Sequence, residues 1–280
     1  TSAEQVKARE YLGVGATGFK NRFVNPEFMI DQENEGASVS VPVSASVKFV
    51  LDQWYALSTG ATITAQQVTG ISDRQNSLRF TGAAGNTGLT LGQRIESSSC
   101  ADLKNQVVTV SLKTKVSNAK TVTWTAYHAT VTDNFTSVTT IATGTFNAIT
   151  SVDAFNFSFN AGANAGNGLL ITFSITSLLA SETIEFDKMQ LEKSSVPTEF
   201  QSRPEQQELA LCQRYAVKLT LALVSVSGAW QSITLPVTMR ANPTVTGGGA
   251  GFTNYIPSNV VLNCFQTTRS NHNLFLNARL

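Results

Sequence analysis

From residue 39 to residue 175 apolar and polar side chains alternate with a period of two, the spacing that sends neighbours to opposite faces of a β-strand. "ASVSVPVSASVKFV" places Val39, Val41, Val43, Ala45, Val47 and Phe49 on one face across two predicted strands. "QVVTVSLKTKVS" turns Val108, Val110, Leu112 and Val116 inward and Lys113 and Lys115 outward. "TVTWTAYHATV" sets Val122, Trp124 and Ala126 against Tyr127, and "FNFSF" and "LLITFSI" continue the alternation through Phe155, Phe157, Phe159, Leu169, Ile171, Phe173 and Ile175. Turn clusters such as "GAAGNTG" and "NAGANAGNG" separate the runs. Many short strands joined by such turns predict an all-β fold, a jelly-roll β-sandwich.

Two stretches break the pattern. "TSAEQVKAREYL" has the Ser2–Gln5 capping spacing and good helix formers, and Gly13 and Gly15 end it. Residues 1–20 are therefore read as an N-terminal helix and a glycine hinge. Residues 202–216 form the second interruption: Ser202 and Glu205 stand three apart with Pro204 between them, predicting a connector helix. The jelly roll occupies 21–201. Beyond the connector, "AWQSITLPVTMRANPTVT" and "NVVLNCFQTTRSNHNLFLNARL" predict a second, smaller β-sandwich over 217–280, marginal by itself at that size. The short first helix and the small last domain both gain from partners, so a homotrimer is expected, with Leu209, Leu211 and Tyr215 near its axis.

Charge narrows the range of partners. Only 14% of the 280 residues are charged and the net charge is +1, which argues against nucleic acid or an anionic membrane as partner. No apolar run is long enough to span a bilayer, so no membrane insertion is expected. Cys100, Cys212 and Cys264 lie far apart without metal-ligand spacing and are read as reduced, buried thiols. With two histidines and no nucleophile, zinc or phosphate-loop signature, the chain is read as not an enzyme.

Several stretches, in order, resemble bacteriophage tail-fibre proteins. "TSAEQVKAREYLGVG" with "GFKNRFVNPEFMI" resembles a junction that recurs in them, and "VKFVLDQWYALSTGA", "SLRFTGAAGNTGLTLGQRIES" and "LKNQVVTVSLKTKVS" resemble successive elements of their jelly rolls. "IEFDKMQLEKSSVPTEFQSRPEQQELALCQRY" is similar to their most specific signature, Gln-Leu-Glu, then Pro-x-x-Phe, Arg-Pro and Glu-Leu-x-x-Cys-Gln-Arg-Tyr. "LPVTMRANPTVT" and "NARL" resemble their C-terminal domain; Ala216 departs from the pattern, where a second aromatic often follows the tyrosine. The resemblance implies a fibre or head spike on a virion, homotrimeric, made in the host cytoplasm and acting outside the bacterium. It implies other virion proteins as partners at the N-terminus and a jelly roll similar to carbohydrate-binding modules. No cofactor is required by it; a structural calcium is the one expected option, held by first- and last-strand oxygens at Asn25, Glu27 and Asp187.

Host cell-surface glycan is thus the expected ligand. Such a ligand offers hydroxyls and apolar CH faces, and an aromatic ring flanked by amide or carboxylate groups, with little net charge, meets both. Asp52, Gln53, Trp54 and Tyr55 supply that combination in the jelly roll, and Tyr127 with His128 supply it again. Trp54 reads equally as a core tryptophan. In the C-terminal domain Trp230 and Tyr255 are the aromatic candidates. Two further readings stand beside receptor binding: a structural spacer without glycan binding of its own, and a polysaccharide depolymerase.

Overall fold

The computed structural model describes residues 20–73, 75–222, 229–247, 252–266 and 271–280. The helix and hinge expected over residues 1–19 lie outside these residues. The chain is all-β: two six-stranded antiparallel sheets face one another, and two three-stranded sheets follow.

The first large sheet runs in the order β1 (Val39–Val41), β4 (Ile63–Thr69), β5 (Asn76–Thr81), β12 (Thr183–Glu192), β7 (Val107–Val116), β10 (Asp153–Asn160). The second runs β2 (Lys48–Leu51), β3 (Trp54–Thr59), β6 (Gly88–Ile95), β11 (Leu169–Ile175), β8 (Lys120–Val131), β9 (Asn134–Ala148). Strands distant in sequence are neighbours in space, as the crossovers of a jelly roll require. Between β6 and β7 lie a helical turn, α1 (Ser97–Cys100), and a 3-10 turn (Ala101–Leu103).

The inward alternation of β7, β8, β10 and β11 holds: Val108, Val110, Leu112, Val122, Ala126, Ile171 and Phe173 are buried in one cluster. Trp124 belongs to it, stacked on Phe157 with centroids 3.8 Å apart and planes 9° off parallel. Phe146 on β9 and Phe155 on β10 stack the same way at 4.2 Å. These pairs bridge β8 and β9 of one sheet to β10 of the other and close the sandwich along one side. Gly144 lies opposite Trp124, and a Cβ there would stand 2.8 Å from the indole, so the stack requires a residue without a side chain.

The predicted face of 39–49 breaks after β1. Val39 and Val41 are buried, but Val43 is 53% exposed, and a register shift between Phe49 and Leu51 turns Val50 and Leu51 inward instead of Phe49. A bulge reverses the parity that alternation alone would carry forward.

The second helix, α2, spans Glu205–Gln213. Its N-cap is Pro204, with no side-chain cap, so the predicted Ser202 cap does not form. In its place Arg203 and Glu208, both buried, pair at 2.6 Å. Arg203 also donates to the carbonyls of Asn21 and Phe23, and Glu208 accepts from the Asn25 backbone N–H. Helix α2 is therefore bolted to the segment that opens the jelly roll.

The chain continues into β13 (Ala216–Ala222), β14 (Ala229–Thr234), β15 (Thr244–Gly247), β16 (Phe252–Pro257), β17 (Val261–Gln266) and β18 (Asn271–Asn277). The small sheets are ordered β13-β18-β15 and β14-β17-β16, around a core of Val217, Leu235, Met239, Leu262, Leu274, Leu276 and Ala278. Glu96, just past β6, is the hub that seats this unit on the jelly roll. Its carboxylate accepts from Arg214, Arg240 and the Tyr215 hydroxyl, at 3.1–3.2 Å. Tyr215 is thus buried within its own chain. Burial and the Glu96 charge together push its phenol pKa up.

Candidate functional site

The outward positions of each large sheet follow from the register. On the second sheet one transverse row reads Tyr55, Gly92, Thr172, Thr125, Thr143. The next reads Leu57, Thr90, Ser174, Thr123, Thr145. A third, nearer the α1 end, reads Arg94, Leu170, Tyr127, Thr140. Hydroxyls dominate, and they are chained: Thr125 with Thr143 at 3.1 Å, Thr143 to the Trp124 carbonyl at 2.9 Å, Thr90 with Ser174 at 2.8 Å. Each such hydroxyl keeps further donor or acceptor capacity. Arg94 is the single charged residue in the three rows.

The sequence-predicted residues fare unequally. Asp52, Gln53, Trp54 and Tyr55 are all buried, none more than 4% exposed, and do not form an accessible platform. Asp52 and Gln53 make the turn between β2 and β3, with Gln53 at φ 67°. Asp52 accepts from the Gln32 backbone at 2.7 Å and from its side chain at 2.8 Å. Gln32 in turn donates to the Ala216 carbonyl, so this turn belongs to the contact between the two β units. Burial raises the Asp52 pKa to about 6, against the opposing pull of Arg279 and the Gln32 hydrogen bonds.

Trp54 is core. It packs on Phe23 and Phe28 at 5.2 and 5.3 Å and its Nε1–H donates to the Asn25 carbonyl. A sugar cannot stack on a ring already covered on both sides. Tyr55 does point outward, as its parity predicts, but its ring lies over Gly92, where a Cβ would meet it at 2.5 Å. Arg94 lies over the same ring, and burial lifts the phenol pKa to about 12.

Tyr127 and His128 remain half-exposed on β8. Opposite Ala126–Tyr127 the partner strand β9 skips Ile141, while β8 keeps its register with β11; beside His128, Ala129 is buried. His128 Nδ1 lies 3.0 Å from the Ala129 carbonyl. Trp230 and Tyr255 stand on β14 and β16, on either side of β17, but their side chains lie outside the described residues, as does that of Cys264. Cys100 and Cys212 are free, buried thiols; burial lifts the Cys100 pKa to about 12 and that of Cys212 well above its usual value.

The three residues expected to hold calcium are all buried. Asn25 is spent locally: its amide donates to the Ile30 and Asp52 carbonyls, and its oxygen accepts from the Ile30 N–H. The Asp187 oxygens accept from the Ser72 hydroxyl and the Lys188 N–H. Glu27 is buried near the same end, yet no three acidic, His or Cys side chains cluster among the described residues. No step below is routed through a metal.

The stretch that most resembles the fibre signature has a structural job. Gln190 and Glu192 hold the loop after β12: Glu192 accepts from the Thr198 N–H and hydroxyl, and Gln190 accepts from the Gln201 N–H. Thr109 reaches the same loop at the Ser194 carbonyl. Arg203, Glu208, Arg214 and Tyr215 complete the lock described above. Sequence reasoning missed this role because the partners that tie the stretch to the rest of the fold are remote: Asn21 is 182 residues from Arg203, Glu96 118 from Arg214 and Thr109 85 from Ser194.

No family model matches the sequence, and no curated protein does. Among solved structures the chain is similar to a CBM4 module at 17% identity, over 61% of this chain and 98% of that one, with a TM-score of 0.39. It is similar also to the CBM22-1 xylan-binding domain of Paenibacillus barcinonensis Xyn10C: 14% identity, 58% and 97% coverage, TM-score 0.36. A third likeness is to the enzymatically active domain of bacteriophage CBA120 tailspike protein 4, at 12% identity, 62% of this chain but 21% of that one, TM-score 0.37. With TM-scores below 0.5, none of these bears on what this chain binds.

Proposed function

We propose that the chain is a receptor-binding part of a phage fibre or spike, attaching the virion to host cell-surface polysaccharide without catalysis. The observation that carries this reading is the outer face of the second sheet: rows of threonine and serine hydroxyls, one half-exposed tyrosine and almost no charge, on strands that cannot flex independently. Sugar hydroxyls exchange hydrogen bonds with Thr125 and Thr143, directly or through water, while the Tyr127 ring covers an apolar CH face. Each such site is weak, and several copies on one fibre multiply it through effective concentration. The tail-fibre-like stretch at 184–215 supports the virion setting, and a trimer belongs to the same proposal.

The test is binding of the full chain to cells of candidate hosts before and after their surface polysaccharide is stripped. Tyr127→Ala is expected to weaken binding at least fivefold, the loss of about 1 kcal/mol at an aromatic contact. Its melting temperature is expected to stay within a few degrees of the parent. Binding that survives both stripping and Tyr127→Ala would leave the jelly roll a spacer.

A further inference from the structure

Arg94 stands out on the proposed binding face. Its guanidinium carbon lies 5.3 Å from the Tyr55 ring centroid and 5.7 Å from that of Phe135, on the β8–β9 hairpin. Two aromatic rings thus hold a planar cation in place. Its Nη1 donates to the Leu280 carbonyl, a further hydrogen bond joins the guanidinium to the Tyr55 hydroxyl, and Nε is buried without a partner among the described residues. The acids nearest in sequence are engaged elsewhere. Glu96 is shared among Arg214, Arg240 and Tyr215, and Asp133 accepts from the Ser97 N–H and hydroxyl. A fixed guanidinium with unused donors, on a face whose other groups are hydroxyls and rings, is a site for an oxyanion.

We propose that the glycan recognised here is an acidic one, its uronate carboxylate received by Arg94 while neighbouring sugar hydroxyls and CH faces meet Thr125 and Tyr127. The inference rests on the reading of this face given above and adds the class of saccharide. Leu170 lies between Arg94 and Tyr127 in the register, so two strand spacings, about 10 Å, separate the carboxylate subsite from the aromatic one. The ligand therefore extends over more than one sugar ring.

The experiment uses the full chain with three uronate polymers, polygalacturonate, alginate and hyaluronan, each beside its carboxyl-reduced neutral form. At least one acidic polymer is expected to bind about tenfold or more tightly than its reduced form, with the margin shrinking as salt rises. Arg94→Gln should erase that margin, and Arg94→Lys should restore part of it. Unchanged circular dichroism and melting temperature identify the variants as folded. The proposal is overturned if no uronate polymer binds, if reduced and native polymers bind alike, or if Arg94→Gln keeps the preference. Neutral polymers that bind and are lost in Tyr127→Ala would sink the acidic assignment while leaving the face itself intact; loss of neither would sink both.

Discussion

The two outer faces of the sandwich are built from the same kind of strand and carry opposite chemistry. On the first sheet one transverse row reads Gln66, Arg79, Glu185, Lys115, and the next sets Asp187 against Lys113. Opposite charges stand side by side, and Arg79 reaches Glu185 at 3.0 Å. The rest of that face is roofed by the loop after β12, pinned through Gln190, Glu192, Thr109 and Ser158. Among the described residues the second sheet has neither device: no ion-pair ladder and no roof over β8 and β9. Under the proposed function, neutralising and covering one face while leaving hydroxyls and a tyrosine on the other separates stability from recognition. Each substitution below is chosen by which side of that division it falls on.

The largest effect is expected under the covered face. Arg203 and Glu208 have side chains 2% and 1% exposed, and the pair carries the contacts from α2 to the segment 21–25. Arg203→Ala leaves Glu208 as an unpaired buried carboxylate and is expected to cost about 3–5 kcal/mol. Denaturant unfolding measures it, and a loss below 1 kcal/mol would show that the latch is ornamental. The same variant, if folded at low temperature, should still bind glycan, because the open face lies on the other sheet.

How much of this was readable beforehand depends on the distance of the partners. Local alternation was enough for the strands: Val108, Val110 and Leu112 face the core because period two leaves them no other side while the other face carries Lys113 and Lys115. Where a bulge intervenes, at Phe49–Leu51, the parity slips and the forecast slips with it. Tyr127 was legible as a surface aromatic. Asp52 and Tyr55 were not legible as buried, since what covers them comes from Ala216, Arg279 and Arg94, far along the chain. Arg94 escaped notice for a related reason. Within "LGQRIES" it is an ordinary outward arginine, and only the fold brings Tyr55 and Phe135 to its faces.

A smaller effect tests the buried edge of the open sheet. The Asp52 pKa is raised from 3.8 to about 6 by burial. Between those values the folded chain holds a proton that the unfolded chain has lost, so stability is full below about pH 4 and declines as pH rises through 6. Two units correspond to about 3 kcal/mol at most. Other carboxylates, such as Glu182, whose pKa the Lys120 pair lowers to about 2, slope the opposite way, so the difference between parent and variant is the quantity to read. Asp52→Asn should flatten its share of the decline between pH 4 and 7. Parallel pH–stability curves for the two proteins would refute the assignment.

The smallest effect belongs to the charged face, and it decides which face is which. Arg79 is 43% exposed along its side chain, and its partner Glu185 also has Lys115 opposite it in the register. Arg79→Gln therefore removes one of two cations near a carboxylate whose side chain is only 7% exposed, and screening at the solvent-facing arginine leaves about 1 kcal/mol. The loss should shrink further in high salt, because what remains is Coulombic and open to ions. Glycan binding should not change, since Arg79 points away from the hydroxyl rows on the opposite side of a sandwich about 10 Å thick. Arg79→Gln and Tyr127→Ala thus form a crossed pair: the first expected to alter stability slightly and binding not at all, the second to alter binding and leave stability almost untouched. Should Arg79→Gln abolish adhesion while Tyr127→Ala keeps it, the recognition surface is the ion-paired sheet, and the hydroxyl rows are only the smooth side of a spacer.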